Sequence, residues 1–168
     1  MHEIGRILGK KPGSFQRTIN NMESEGILLS EYRANARYFR INKEYPLYKE
    51  LKSIVFKTIG IGGGIKKRLR KFSGIKFAFI FGSYAKSREN YLSDIDLIII
   101  GELDEDKLIR ELDDLEKLLK REINYKIYNL SELKQYTKSG DPFLESVVKD
   151  KKVFLIGEDD ELQKIITG

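Results

Sequence analysis

The sequence predicts two domains of different build: a small helical unit with a β-hairpin, then an α/β domain with a mixed sheet of about four strands. Three observations carry this reading. Residues 1–71 hold 16 Lys and Arg against 6 Asp and Glu, while residues 72–168 hold 15 against 20, so a net of +10 is followed by a net of −5. The apolar pattern changes from helical stripes to β-branched runs near Lys76. Between the two, Gly60, Gly62, Gly63 and Gly64 fall within five residues and read as a hinge. The expected organisation is 1–59 for the first domain with a connecting helix, 60–64 for the hinge and 65–168 for the second domain.

Composition narrows the chemistry. Of 168 residues, 40% are hydrophobic and 34% charged, which suits a folded globular protein. No apolar run approaches the roughly 20 residues that span a bilayer. Met1-His2-Glu3 does not begin a secretory signal, so no membrane partner and a cytoplasmic location are expected. There is no cysteine, and His2 is the only histidine. Disulfides, thiolate zinc sites, cysteine nucleophiles and histidine acid–base chemistry are excluded. A metal in this chain must rest on oxygen ligands, which points to Mg2+ or Mn2+.

Along the basic part, Ile4, Ile7 and Leu8 form a short helical stripe that ends at Gly9-Lys10-Lys11-Pro12-Gly13. Ser14 is placed to cap a second helix, FQRTINNMESEG, with Phe15, Ile19 and Met22 on one face and Gly26 as its stop. ILLSEY, a polar turn RANAR and YFRIN then read as a hairpin. Two helices about a tight turn followed by a hairpin describe a winged helix-turn-helix, with the second helix in a DNA major groove and the hairpin as the wing. Ser14, Gln16, Arg17 and Asn20 or Asn21 are the candidates for bases or phosphates; Arg33, Arg37 and Arg40 would approach the backbone of double-stranded DNA. Each is also what a solvated polar face would carry. MESEGIL and ARYFRIN resemble segments of the winged-helix domains of small prokaryotic regulators. Those domains usually have a further helix before the one near His2. A second copy of the chain, the helix near 47–59 or upstream residues would cover Ile4, Ile7, Ile19 and Met22, and a homodimer is expected.

After Pro46, YKELKSIVFKTIG places Leu51, Ile54, Val55 and Ile59 at helical spacing. The glycines that follow lack the GxxxxGK[ST] pattern of a phosphate loop, and no strand precedes them. A short basic helix, IKKRLRKF, then leads to the strand IKFAFIF.

That strand ends in Gly82-Ser83. Gly82 permits close backbone approach, and Ser83 offers a hydroxyl and an amide, a pairing that suits the phosphates of a nucleotide. SDIDLIII is the next strand, and its period of two puts Asp94 and Asp96 on one face with Ile95 and Leu97 turned into the core. Two carboxylates this close repel, and a divalent cation relieves the conflict. The chemistry implied is attack on an α-phosphate with pyrophosphate leaving. The alternative is that Ser93 and Asp94 turn the chain while Asp96 pairs with a lysine.

GSYAKSRENYLSDID, with ten residues between the Gly-Ser and the Asp-x-Asp, resembles the minimal nucleotidyltransferases of the DNA polymerase beta superfamily, and the likeness runs from about Ile65 to Gly157. The resemblance implies that Gly82 and Ser83 hold the phosphates of a nucleoside triphosphate, ATP foremost. It also implies that Asp94 and Asp96 are the catalytic metal ligands. Active members transfer a nucleoside monophosphate to a hydroxyl of a protein, a small molecule or RNA, and some act as antitoxins on a toxin partner.

The same resemblance requires a third carboxylate on a later strand. EDKLIRELDDLEKLLKRE is a helix with Leu108, Leu112, Leu115 and Leu119 buried, and INYKIYNL is the strand after it. The expected position holds Asn124, or Lys126, and Glu122 is assigned to the Tyr125 side of the alternation. Two readings follow. One is a magnesium-dependent nucleotidyltransferase. The other is a DNA-binding regulator whose second domain binds a nucleotide or a partner protein without turnover. Further on, SELKQYTK reads as a helix capped by Ser131, Asp141 as the cap of FLESVVKD, KKVFLIG as a strand and DELQKIITG as a terminal helix.

Overall fold

In a computed structural model, residues 2–86 and 93–167 are described. The chain divides into two compact units, 1–54 and 55–168.

The first unit contains α1 (His2–Leu8), a 3-10 turn (Pro12–Ser14), α2 (Gln16–Ser24) and an antiparallel hairpin of β1 (Leu28–Arg33) and β2 (Ala36–Ile41). The hairpin turn is two residues long rather than the five expected. Ladder pairing continues to Arg33 and Ala36, and Ala34 takes the left-handed conformation at φ 51°. Ser14 does not cap α2. Its hydroxyl donates to the Lys11 carbonyl at 2.8 Å, and Phe15 is the residue before the helix. The core here is thin, with Phe15 and Leu28 as its buried apolar side chains among the described residues. Ile7 is 76% exposed. Arg37 ties the unit together. It pairs with Glu23 of α2 at 2.5 Å, meets the Ser30 hydroxyl at 3.2 Å and lies over the rings of Tyr32 and Phe39.

α3 (Tyr48–Thr58) carries the chain across the boundary between the units. The glycine cluster is not a loop. Gly60 precedes α4 (Ile61–Leu69), and Gly62, Gly63 and Gly64 lie in the first part of that helix. A side chain at Gly62 would come within 2.8 Å of the Phe56 ring, and one at Gly63 would collide with the Thr58 carbonyl. The glycines serve tight packing of α4 against the end of α3, a role that needs no Cβ.

The second unit then continues through β3 (Ile75–Phe81), α5 (Gly82–Ala85), β4 (Ile95–Gly101), α6 (Glu105–Leu119), β5 (Ile123–Tyr128), α7 (Leu130–Lys138), α8 (Pro142–Lys149), β6 (Val153–Ile156) and α9 (Asp159–Thr167). The sheet order is β5-β4-β3-β6, with β4 parallel to β5 and the other two pairs antiparallel. This is the mixed four-stranded sheet expected.

Both faces of the sheet are covered. On one, Ile80, Leu97, Ile99 and Ile123 pack with Ile65 and Leu69 of α4 and the leucine stripe of α6. On the other, Phe79, Ile98 and Ile100 pack with Leu133, Leu144, Val147 and Leu162 of α7, α8 and α9. β4 is therefore apolar on both sides, as a central strand should be, and Asp96 interrupts it at its open end. Caps fix the later helices. Asp141 accepts from Leu144 N at 2.8 Å as expected, but Asn129, not Ser131, caps α7 in a reciprocal capping box with Glu132.

Candidate nucleotide and metal site

β3 and β4 run antiparallel, and their register sets Phe81 opposite Asp96. The next residue, Gly82, adopts φ 69°, which turns the chain sharply out of the strand. A Cβ on Gly82 would overlap the Asp96 carboxylate oxygen Oδ2. The Gly-Ser turn and Asp96, the second aspartate of the Asp-x-Asp, are thus brought into direct apposition. The bare glycine leaves the Asp96 carboxylate facing the turn. Ser83 follows within the one-turn helix α5.

Asp94 stands exposed just before β4, and Asp96 is half-buried within it. Burial raises the Asp96 pKa, and the nearby Asp94 charge raises it further. This is the conflict that a divalent cation on two hard oxygen donors resolves, so the residues fit Mg2+ or Mn2+. No group of three or more His, Cys, Asp or Glu side chains that could hold a metal occurs among the described residues.

The reason lies on β5. Asp96 pairs in register with Asn124, and Ile98 with Lys126. The neighbour of Asp96 on β5 is therefore a neutral amide, at one of the two positions, Asn124 or Lys126, where the sequence leads one to look for a third carboxylate. Glu122 needs a correction: by the strand's alternation it falls with Asn124 and Lys126, opposite to Tyr125. Its backbone carbonyl accepts from Ile95 N at 2.9 Å, which aligns the two parallel strands, while its side chain is exposed. Lys126 lies with its Nζ 3.8 Å from the centre of the Phe143 ring, and Phe143 meets Phe81 edge-on at 5.8 Å.

Two residues that sequence reasoning missed hold the approach to Asp94. The Ser93 carbonyl accepts from Arg121 Nη1 at 3.1 Å and from the Tyr84 hydroxyl at 3.5 Å. Tyr84 is buried and stacks on Phe56 at 6.0 Å. Arg121 follows Lys120, which ends α6 in the left-handed conformation, so in sequence it looks like part of a charged helix tail. Arg121→Ala is expected to lower Mn2+ affinity about 10-fold, the usual effect of losing an outer-shell support, with Arg121→Lys recovering part of it. Titration of Mn2+ into the three proteins checks this. The pair of Lys86 with Asp150, at 2.5 Å, ties the end of α5 to the end of α8. That contact holds the Asp150 carboxyl below its usual range.

The candidate DNA residues lie in the first unit. Gln16, Arg17, Asn20 and Asn21 are exposed on α2, and Ser14 is exposed before it. Arg33 pairs with Glu31 at 2.5 Å on the hairpin, and Arg37 is engaged with Glu23 as described. The residues 87–92 between Lys86 and Ser93, part of the quoted motif, lie outside the described residues.

Comparison with known proteins bears on the second unit. Residues 64–161 match the family described as polymerase beta, nucleotidyltransferase. Among solved structures, a toxin–antitoxin with AMP-PNP is 18% identical, with 63% of this chain and 81% of that chain covered and a TM-score of 0.43. A tri-AMPylated Shewanella oneidensis HEPN toxin in complex with its MNT antitoxin is 16% identical, with 63% and 77% covered and a TM-score of 0.38. Comparison with curated proteins gives no match. The family match spans more than half of the chain and contains the Gly-Ser turn, both aspartates and Asn124: this chain belongs to the polymerase beta nucleotidyltransferase family.

Proposed function

We propose that the chain transfers a nucleoside monophosphate from a nucleoside triphosphate, ATP foremost, to a hydroxyl of a protein, a small molecule or RNA. The observation that carries this is the apposition of Gly82 and the Asp96 carboxylate, with Asp94 close enough to raise the Asp96 pKa. Asp94 and Asp96 would hold Mg2+, or Mn2+, and Gly82 and Ser83 would seat the phosphate tail. A bound divalent ion supplies charge neutralisation at the α-phosphate as the acceptor oxygen bonds to phosphorus and pyrophosphate departs. Arg121 and Tyr84 fix the backbone that carries Asp94, and Asn124 orients a neutral amide beside Asp96 without taking the acceptor's proton. The test is pyrophosphate release from each of the four nucleoside triphosphates in the presence of Mg2+. Release that disappears in Asp96→Ala supports the reading, and tight nucleotide binding with no release favours the second one.

That second reading is a DNA-binding regulator whose nucleotidyltransferase-like unit binds a nucleotide without turnover. Asn124 favours it, since an amide cannot act as a general base. The first unit adds support. Its two helices about a tight turn, the hairpin after them and the exposed polar face of α2 support reading the first domain, proposed over 1–59, as a winged helix-turn-helix. A mobility-shift experiment with duplex DNA is expected to show binding at low salt that weakens steeply as salt rises, and Arg17→Ala is expected to weaken it further. Absence of a shift at low salt contradicts DNA binding.

A further inference from the structure

Lys126 is the feature of this site that neither the two aspartates nor the Gly-Ser turn explains. It stands on β5, one step along the same face from Asn124, in register with Ile98. Its residue neighbours place it in the corner of the sheet that contains Asp96. The Nζ rests on the Phe143 ring, Phe143 touches Phe81, and Phe81 is the ladder partner of Asp96. Lys126 is exposed, and among the described residues no carboxylate lies within ion-pairing distance of it. A lysine on an aromatic face is held in place while its charge remains available.

The site's charge balance gives that ammonium a role. A row of Asp94, Asp96 and a third carboxylate would support two divalent ions. With Asn124 in the third position, Asp94 and Asp96 suit one ion, and a second ion would meet a neutral amide with a lysine beside it. We propose that Lys126 binds the phosphate chain of the nucleotide directly, standing in for the positive charge of a second divalent ion, so that this is a site for one metal ion and one lysine. The inference rests on the nucleotide site proposed above. It extends that site to β5 and Phe143 and makes part of nucleotide binding independent of metal.

Equilibrium binding of ATP and of adenosine, with Mg2+ and with EDTA, tests it. The proteins to compare are the wild type, Lys126→Met, Lys126→Arg and Asp96→Ala. Methionine keeps packing on Phe143 while removing the charge, and arginine keeps the charge on the ring. The expected result is that Lys126→Met weakens ATP about 10-fold or more in both buffers, the effect of losing a charge-assisted contact, with adenosine unchanged and Lys126→Arg close to wild type. ATP binding that depends on Asp96 and Mg2+ but is the same in Lys126→Met and wild type overturns the role of Lys126 while leaving the nucleotide site standing. If the wild type binds no ATP in Mg2+, or Asp96→Ala binds it equally well, the nucleotide site itself is wrong and this inference falls with it.

Discussion

Asn124→Asp is expected to raise the rate of nucleoside monophosphate transfer by about 10² to 10⁴, the usual worth of a positioned general base. The substitution is nearly isosteric, and the register of Asp96 with Asn124 already sets the new carboxylate beside Asp96, one of the two proposed metal ligands. Asn124 is exposed, so the added charge is not placed in a dry site. Repulsion from Asp94 and Asp96 is relieved when a divalent ion is present, and Lys126 on the same face adds a further positive charge. Glu122→Gln is the control: it removes the exposed carboxylate that stands just before β5, and the rate is expected to stay near wild type. Single-turnover transfer from α-labelled ATP compares the three proteins. A rate in Asn124→Asp no higher than wild type would show that proton acceptance on β5 does not limit this site.

Asp96→Asn is expected to have opposite effects on binding and on stability. Mg2+-dependent nucleotide binding is lost, because the amide leaves Asp94 as the single charged donor of the pair. The metal-free protein becomes more stable at neutral pH. The sign follows from the raised pKa, caused first by burial and then by Asp94. Between the ordinary value of 3.8 and that higher folded value, the native state holds more protons than the unfolded chain, so stability falls as pH rises through the window. Above the window the ionised carboxylate keeps that cost, and asparagine removes it. Metal affinity runs the other way, rising with pH across the same window with release of a proton. Thermal unfolding of the two metal-free proteins checks this. A lower melting temperature for Asp96→Asn at neutral pH would contradict it, as would equal melting temperatures for the two proteins at pH 7 and a gap at low pH.

Much of this site was legible in the sequence because strand alternation is a strict rule. The period of two put Asn124 with Lys126, and the parallel register of β4 and β5 makes Asp96 and Asn124 neighbours; Asp94, expected within the strand, lies just before it. The same rule corrects Glu122. What escaped the sequence depends on contacts between distant segments. Gly62 and Gly63 looked like a hinge because a glycine cluster in sequence gives no hint of the Phe56 ring and Thr58 carbonyl that exclude a side chain there. Ser14 and Ser131 had the composition of caps, yet Phe15 and Asn129 hold the boundary positions. Arg121 could not be singled out, since its role is a bond to the Ser93 carbonyl twenty-eight residues away in the chain. The second core, over the Asp96 face, was hidden in the continuous apolar run of β4, which is compatible with burial on one side or two.

The most direct test of the account is transfer of label from α-labelled nucleoside triphosphates in Mg2+, with the chain's own hydroxyls and added RNA as acceptors, comparing wild type with Asp96→Ala. Labelled product and pyrophosphate are expected from the wild type with at least one nucleotide, and neither from Asp96→Ala. Absence of labelled product and pyrophosphate from the wild type with all four nucleotides, under conditions where it binds them, would contradict the transferase reading; label transfer that survives Asp96→Ala would contradict the site.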